Sequence, residues 1–277
     1  MARSNRSLHP VGRRANARRR LLLSRNAATA VESAGLPRPG RPSSATAPRL
    51  AGAVPGASAG LAAVTHLLRG AQPATWVFTG DSITHGALFT EGWRSFPELF
   101  SERVRWELRR FHDVVINTGV CGEKTGGLLE SLESRVLRFR PDVVMILIGM
   151  NDALAGPAGR DAFRENLEEL VGQLRESDTI PVLQTPNQVY WPNALTRSDL
   201  PAYVDIIRQV ADDSEVPLID HWGHWELRKP GTDAVLAWLH DQSIHPNFQG
   251  HREMSRLICE AFGVFDPRSL TCSLSVS

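Results

Sequence analysis

The chain has 277 residues, with 31 Lys and Arg against 30 Asp and Glu, a formal net charge of +1 and 42% hydrophobic residues. At roughly 150 residues per domain, that length accommodates one large domain or two small ones, and the apolar fraction excludes a chain disordered throughout. The neutral total conceals two unlike parts. Residues 1–72 hold twelve Arg, no Lys and a single acid, Glu32, for a net of +11, whereas residues 73–277 hold the remaining 19 bases and 29 acids, for a net of −10.

The first part is built from Arg, Ala, Pro, Gly and Ser, with clusters such as Arg13-Arg14 and Arg18-Arg19-Arg20 and no aromatic residue before Leu50. Such a segment buries too little surface to offset its ordering entropy, so residues 1–56 are expected to form a disordered extension. The functional alternatives are contact with nucleic acid or anionic lipid, an Arg-rich targeting peptide, or a twin-arginine export signal opened by Arg13-Arg14 with residues 50–68 as its apolar region. Gly52, Pro55, Gly56 and Gly60 dilute the compact run of about 7–15 apolar residues that a signal needs. The strongest apolar run elsewhere, residues 143–148, is far short of the ~20 residues of a membrane span. Cys121, Cys259 and Cys272 are too few and too scattered for a disulfide framework or a four-thiolate metal site, and they fit a reducing compartment. The reading is a cytoplasmic protein with no transmembrane segment and no nucleic-acid role for the acidic part, export through the atypical leader being the alternative.

From residue 57 onward, helical periodicity alternates with short β-branched runs. Ala57, Leu61, Val64 and Leu68 fall on one helical face, and residues 76–79, beyond Pro73, read as a buried strand. A helix over 96–111 leads to a strand at 114–116. A second helix, 127–138, is stopped by Pro141 before a strand at 143–148. The helix predicted over 162–175 turns Phe163, Leu167, Leu170, Val171 and Leu174 inward, and residues 181–183 form the next strand. A helix over 203–210, a strand at 217–219 and a closing helix over 249–262 complete the pattern. Five strands separated by helices imply a parallel sheet covered on both faces. The expected fold is α/β, a three-layer sandwich in one domain over residues 57–265, with a short tail at 266–277.

In such sheets chemistry sits on loops leaving the carboxyl ends of strands, and four of those loops are polar. The first is Gly80-Asp81-Ser82-Ile83-Thr84-His85-Gly86, which presents a serine at the sheet edge; an arbitrary serine there would only cap a helix. The second runs from Asn117 through Gly119, Cys121 and Gly122, where glycines let backbone N–H groups approach a ligand. The third is Gly149-Met150-Asn151-Asp152. The fourth, Asp241-Gln242-Ser243-Ile244-His245-Pro246-Asn247, sets a histidine just before the last helix.

Taken in order, Gly80-Asp81-Ser82, the segment 117–122, Gly149-Met150-Asn151-Asp152 and Ile244-His245-Pro246-Asn247 resemble the four blocks of the SGNH hydrolase superfamily, the GDSL-type esterases and lipases. The resemblance spans about residues 75–262. It implies a flavodoxin-like three-layer α/β/α fold with a five-stranded parallel sheet, and ester hydrolysis through a serine nucleophile with no metal or organic cofactor. Ser82 resembles the nucleophile and a backbone oxyanion donor, Gly122 and Asn151 the other two oxyanion donors, and His245 the general base. The chemistry agrees, since a hydroxyl is a poor nucleophile until an imidazole accepts its proton and the tetrahedral oxyanion needs preorganised donors.

The chain departs from the family at the third member of the triad. The usual acid lies three residues before the histidine, where this chain has Gln242, and the nearest carboxylate is one residue earlier, Asp241. A one-residue insertion in a loop costs little, so Asp241 is expected to orient His245, with an acid-less dyad as the alternative. Cys121, at a position often occupied by serine, is expected to be a small buried thiol. His221, His224, His240 and His251 lack carboxylates at ligand spacing and read as surface or capping residues. A metallophosphoesterase reading of Asp81, Asn151 and Asp152 lacks the further His and Asp clusters. Several of Trp93, Tyr190, Trp191, Trp222, Trp225 and Trp238 fall in loops near the predicted edge; core packing is the expected fate of any one tryptophan, Tyr190 with Trp191 is the expected substrate wall, and Asp81 is the other expected substrate contact. The function expected is a serine esterase for small acyl groups, O-acetylated carbohydrate among them. The alternatives are a lysophospholipase-like or thioesterase activity and a non-catalytic glycan-binding protein with a degraded triad.

Overall fold

Each of the five apolar runs forms a strand in the computed structural model, which describes residues 57–273. The extension expected over residues 1–56, with its targeting and twin-arginine alternatives, lies outside the described residues, as do residues 274–277. The strands are β1 (Thr75–Gly80), β2 (Val114–Asn117), β3 (Val143–Leu147), β4 (Ile180–Gln184) and β5 (Leu218–Ile219). All pair in parallel, in the order β2-β1-β3-β4-β5. Val77 of β1, for example, pairs with Ile116 of β2 and Val144 of β3. Every residue of β3 is buried, and all of β1 beyond Thr75, as expected of central strands covered on both faces.

The helices are α1 (Ala57–Arg69), α2 (Ser82–His85), α3 (Phe96–Glu102), α4 (Thr125–Glu130), α5 (Leu132–Arg135), α6 (Arg160–Glu176), α7 (Leu200–Asp213), α8 (His221–Arg228) and α9 (Phe248–Ala261). α3 packs on α9, and α6 packs on α4 and α7. Alternate residues of β1 carry one interface: Trp76 meets Phe100 edge-on at 5.3 Å between centroids, and Phe78 meets Phe96 at 5.7 Å. Such contacts add about 0.5–1.5 kcal/mol each beyond the area they bury. The Trp76 indole N–H donates to Asp113 at 3.0 Å, so its polar end is satisfied inside the core. On α6 the buried residues are Phe163, Leu167, Leu170, Val171 and Leu174, the face read from the sequence. Among the described residues, no helix is long and apolar enough to cross a membrane.

Three stretches differ from the sequence expectation. The helix predicted over 96–111 is α-helical only to Glu102, continues as a π turn over Arg103–Glu107, and ends at Leu108, beyond which Arg109 takes φ 58°. Long-range contacts explain the change: Arg103 donates to the Val264 carbonyl at 2.7 and 3.0 Å, and Glu107 accepts from the Thr271 N–H at 3.0 Å and its hydroxyl at 2.8 Å. The helix predicted over 127–138 starts at Thr125 and breaks at Ser131, whose hydroxyl donates to the Gly127 carbonyl at 2.7 Å and competes with the backbone pattern. α8 forms where the sequence pattern indicates no helix. Asp220 caps it by accepting the Gly223 N–H at 3.0 Å, and it buries Trp222 and Trp225. Trp238 is buried too and meets Trp225 edge-on at 5.1 Å, so these three tryptophans pack in the core, the fate expected of any one tryptophan. His221 and His251 are likewise fully buried, contrary to a surface or capping role; burial lowers each imidazole to about 3, so both are neutral. Cys259 and Cys272 are both free, buried thiols.

The chain runs from β1 outward to β2 and then crosses back to β3 on the other side of β1. Loops leaving β1 and β3 therefore diverge at the carboxyl ends of the strands, the place where open parallel sheets bind ligands.

Candidate active site

The loop leaving β1 turns sharply. Gly80 has φ +142°, and a Cβ there would lie 1.8 Å from the Leu147 carbonyl oxygen, so only glycine lets β1 pass the end of β3 this closely. Asp81 caps α2, its Oδ1 accepting the Ile83 N–H at 2.9 Å. Ser82 follows in the first turn, where its own N–H is not needed for an intrahelical bond. Asp81 itself is fully buried, which makes its place structural: burial pushes its carboxyl up to about 7, the Ile83 N–H and Arg197 pull against that rise, and Asp152 adds to it.

Ser82 Oγ lies 2.9 Å from His245 Nε2, and His245 Nδ1 lies 2.5 Å from Asp241 Oδ2. The second oxygen of Asp241 accepts three backbone N–H groups, from Ser243 at 2.9 Å, Ile244 at 2.9 Å and His245 at 3.1 Å. Burial works to raise this carboxyl, but the hydrogen bonds from the His245 ring and backbone and from Ile244 outweigh it and hold it lowered to about 2. The extra residue between acid and histidine is absorbed at Gln242, which takes φ 51°. Its carbonyl accepts the Asn193 side-chain amide at 2.9 Å.

The segment after β4 supports this turn from outside. Tyr190 N–H donates to the Ser243 carbonyl at 2.8 Å, and the Ser243 hydroxyl donates to the Asn193 carbonyl at 3.1 Å. Tyr190 and Trp191, expected as a substrate wall, are half-buried, and the Trp191 ring meets Trp222 edge-on at 6.1 Å. The backbone of Tyr190 and Asn193 thus braces the loop that carries Asp241 and His245.

Asn151 and the loop of Gly122 are tied together. Asn151 Nδ2 donates to the Glu123 carbonyl at 3.1 Å, which leaves the second N–H of the amide for another acceptor. Gly122 has φ +81° with open space where a Cβ would stand, so its requirement for glycine is conformational. Asp152 secures the same corner by accepting from the Thr125 N–H at 2.9 Å and hydroxyl at 2.7 Å. Cys121 is exposed in this loop, not buried as expected. The tight turn around Gly122 leaves it no apolar wall to enter.

Two residues at the site carried no sequence signal. Arg197 donates from Nε to the Met150 carbonyl at 3.1 Å and from a terminal nitrogen to Asn151 Oδ1 at 3.4 Å, which fixes the way the Asn151 amide faces. Phe89 stacks on the His245 ring, with centroids 3.5 Å apart. Phe89 lies in a loop and Arg197 at the end of a single 3-10 turn, Leu195–Arg197, where periodicity says nothing. Among the described residues, no group of three or more His, Cys, Asp or Glu is placed to hold a metal ion.

Comparison with known proteins places the chain in a family. Residues 78–253 match the GDSL-like lipase/acylhydrolase family. An acetylxylan esterase of Geobacillus stearothermophilus is 26% identical over 206 residues, covering 68% of this chain and 93% of that protein. An arylesterase of Vibrio mimicus is 26% identical over 168 residues, covering 60% of this chain and 77% of that one. A Mycoplasma pneumoniae protein is 31% identical over 111 residues, and the chain spans only 12% of its length. Among solved structures, an acetyl xylan esterase from Geobacillus stearothermophilus superposes with a TM-score of 0.58 at 23% identity over 71% of this chain and 97% of that one, a likeness of fold.

Proposed function

Because the chain belongs to the GDSL-like lipase/acylhydrolase family and is a serine ester hydrolase of SGNH type, we propose that it cleaves carboxylic esters of small acyl groups, O-acetylated carbohydrate among them, through an acyl-enzyme on Ser82. The observation that carries the reading is the unbroken chain from Ser82 Oγ through His245 to Asp241, at 2.9 and 2.5 Å. A degraded site would be expected to lose one of these links. The acid that the sequence pattern misplaces by one residue still reaches the imidazole.

In the first half-reaction Ser82 Oγ attacks the ester carbonyl carbon while His245 Nε2 takes the hydroxyl proton. Asp241 keeps its charge, holds the Nδ1 proton and so leaves Nε2 free to accept. The carbonyl oxygen becomes an oxyanion received by the Ser82 and Gly122 N–H groups and the free N–H of the Asn151 amide. Collapse of the intermediate breaks the C–O bond, and His245 returns the proton to the departing alcohol. Water repeats the sequence on the acyl-enzyme and releases the acid.

A fluorophosphonate probe tests the nucleophile. Wild type should carry the adduct on Ser82 and Ser82→Ala should carry none; an active protein with no adduct on Ser82 refutes the assignment. A p-nitrophenyl ester series should peak at acetate to butyrate, and a maximum at long chains would move the reading to a lysophospholipase-like enzyme.

A further inference from the structure

We propose that Phe89 is a positioning residue of this esterase, its ring holding the His245 imidazole in place and stabilising the positive charge that ring acquires on taking the Ser82 proton. The inference rests on the serine-esterase reading. The two rings are parallel to within 2°, with centroids 3.5 Å apart. Two neutral aromatic rings avoid that arrangement, because face-to-face stacking opposes their quadrupoles and pairs prefer an offset or an edge-on contact. An imidazolium over a phenyl face is the reverse case, a positive ring on a negative π surface. The geometry suits the charged form of His245, which forms as the Ser82 proton moves to Nε2. A contact that is stronger in that state than in the ground state lowers the barrier.

The loop between α2 and α3 holds Phe89 there. Its backbone is tightly turned, with positive φ at Gly86 (75°), Leu88 (74°), Glu91 (53°) and Gly92 (85°), and a bulky residue such as Leu88 in that region is costly unless its surroundings impose it. Two contacts tie the loop to the segment of His245. Glu91 Oε1 lies 3.3 Å from His240 Nδ1, with His240 edge-on to Phe89 at 6.1 Å. Trp93 stacks on Phe248 at 5.4 Å. Phe89 is thereby set against the imidazole by contacts to His240 and Phe248, which flank His245 in sequence.

Other charged groups around the ring act from other directions. Asp241 meets Nδ1 through a hydrogen bond and therefore in the ring plane. Arg197, from the segment before α7, acts on Asp241 and on Asp81 of the β1–α2 corner. His251 of α9 is buried and neutral. Glu91 is paired with His240 on the side of Phe89. Phe89 is the contact to the imidazole face, so its effect on the charge is separable from that of Asp241.

The test uses the full chain as wild type, Phe89→Leu and Phe89→Trp, with p-nitrophenyl acetate kinetics from pH 5 to 9 and an NMR titration of the His245 ring, which needs no activity. Phe89→Leu should lower kcat about tenfold and shift both the acid limb of kcat/KM and the ring titration to lower pH, because the imidazolium loses its partner. Phe89→Trp should keep both. Pentafluorophenylalanine at position 89 retains the shape and inverts the quadrupole, so it should reproduce the Leu result even if Phe89→Leu fails to fold. A His245 titration unmoved in the Leu and fluorinated proteins, whatever their kcat, overturns the proposal, as does an unchanged kcat. Wild type without ester turnover would refute the esterase reading alone, since the NMR titration still reports the contact.

Discussion

Replacing Asp241 by Asn perturbs the hydrogen-bond chain at its far end while preserving the turn around it. The Asn carbonyl can still accept the three N–H groups of Ser243, Ile244 and His245, which turns its NH2 group toward His245 Nδ1. Two donors cannot share that bond, so the imidazole proton moves to Nε2, the atom that must accept from Ser82. The lost charge has its own cost. A carboxylate and an imidazolium with centres about 4 Å apart attract by ~4 kcal/mol at an effective dielectric constant near 20, and the Asp241 side chain is 28% exposed, so solvent reduces that figure. With each ~1.4 kcal/mol worth a factor of ten, charge loss alone gives about 10², and the wrong tautomer extends the range to about 10²–10⁴. Steady-state kcat for p-nitrophenyl acetate, with Ser82→Ala as the floor, reads this directly. A loss under threefold would refute the reasoning and return the acid-less dyad.

Asn151→Ala should lower kcat by about 10²–10³ with little change in KM, the signature of a donor used in the transition state; an effect confined to KM would remove Asn151 from the oxyanion site. Glu107 offers a stability prediction far from the chemistry. Burial alone would raise its carboxyl, but donors from Ser269, Thr271 and Arg103 lower it to about 2 from 4.5. Because the folded value is depressed, the stabilisation is full above about pH 4.5 and is lost as pH falls through about 2. Solvent screening at this half-buried carboxylate reduces the full linkage value, so Glu107→Gln should cost about 1–2 kcal/mol in urea unfolding at pH 7, with the difference from wild type shrinking below pH 4.5. A difference independent of pH would show that the charge is not what stabilises this corner.

The legible parts of the sequence were those governed by short-range rules. The inward face of α6, spaced as Phe163, Leu167, Leu170, Val171 and Leu174, follows from the 3.6-residue period and needed no knowledge of its partner. The strands β1 and β3 announced themselves as continuous apolar runs because both their faces are covered. The illegible parts were those where a distant group overrides local preference. The α3 helix changes to a π turn because Arg103 and Glu107 are claimed by Val264 and Thr271, more than 150 residues on. The helix that buries Trp222 and Trp225, α8, is set by its Asp220 cap and by packing, over too short a span to show an apolar period. Cys121 runs the opposite way: a small apolar thiol suggests burial, and the turn at Gly122 leaves it exposed.

The sequence by itself determined the order of strands and helices, the four polar loops and the residue types of a nucleophile, a base and oxyanion donors, because each is encoded within a few neighbouring residues. Only the tertiary structure decided which carboxylate serves His245. Asp241 reaches Nδ1 because Gln242 takes a left-handed conformation and three N–H groups fix the turn, and no spacing rule contains that information. Only the structure, too, brought Phe89 onto the imidazole face and Arg197 onto the Asn151 amide, since contacts between irregular segments are set by packing. The contrast that opened in the charge balance remains within this division: the acidic part, residues 73–277, carries both the fold's sheet and the whole candidate site.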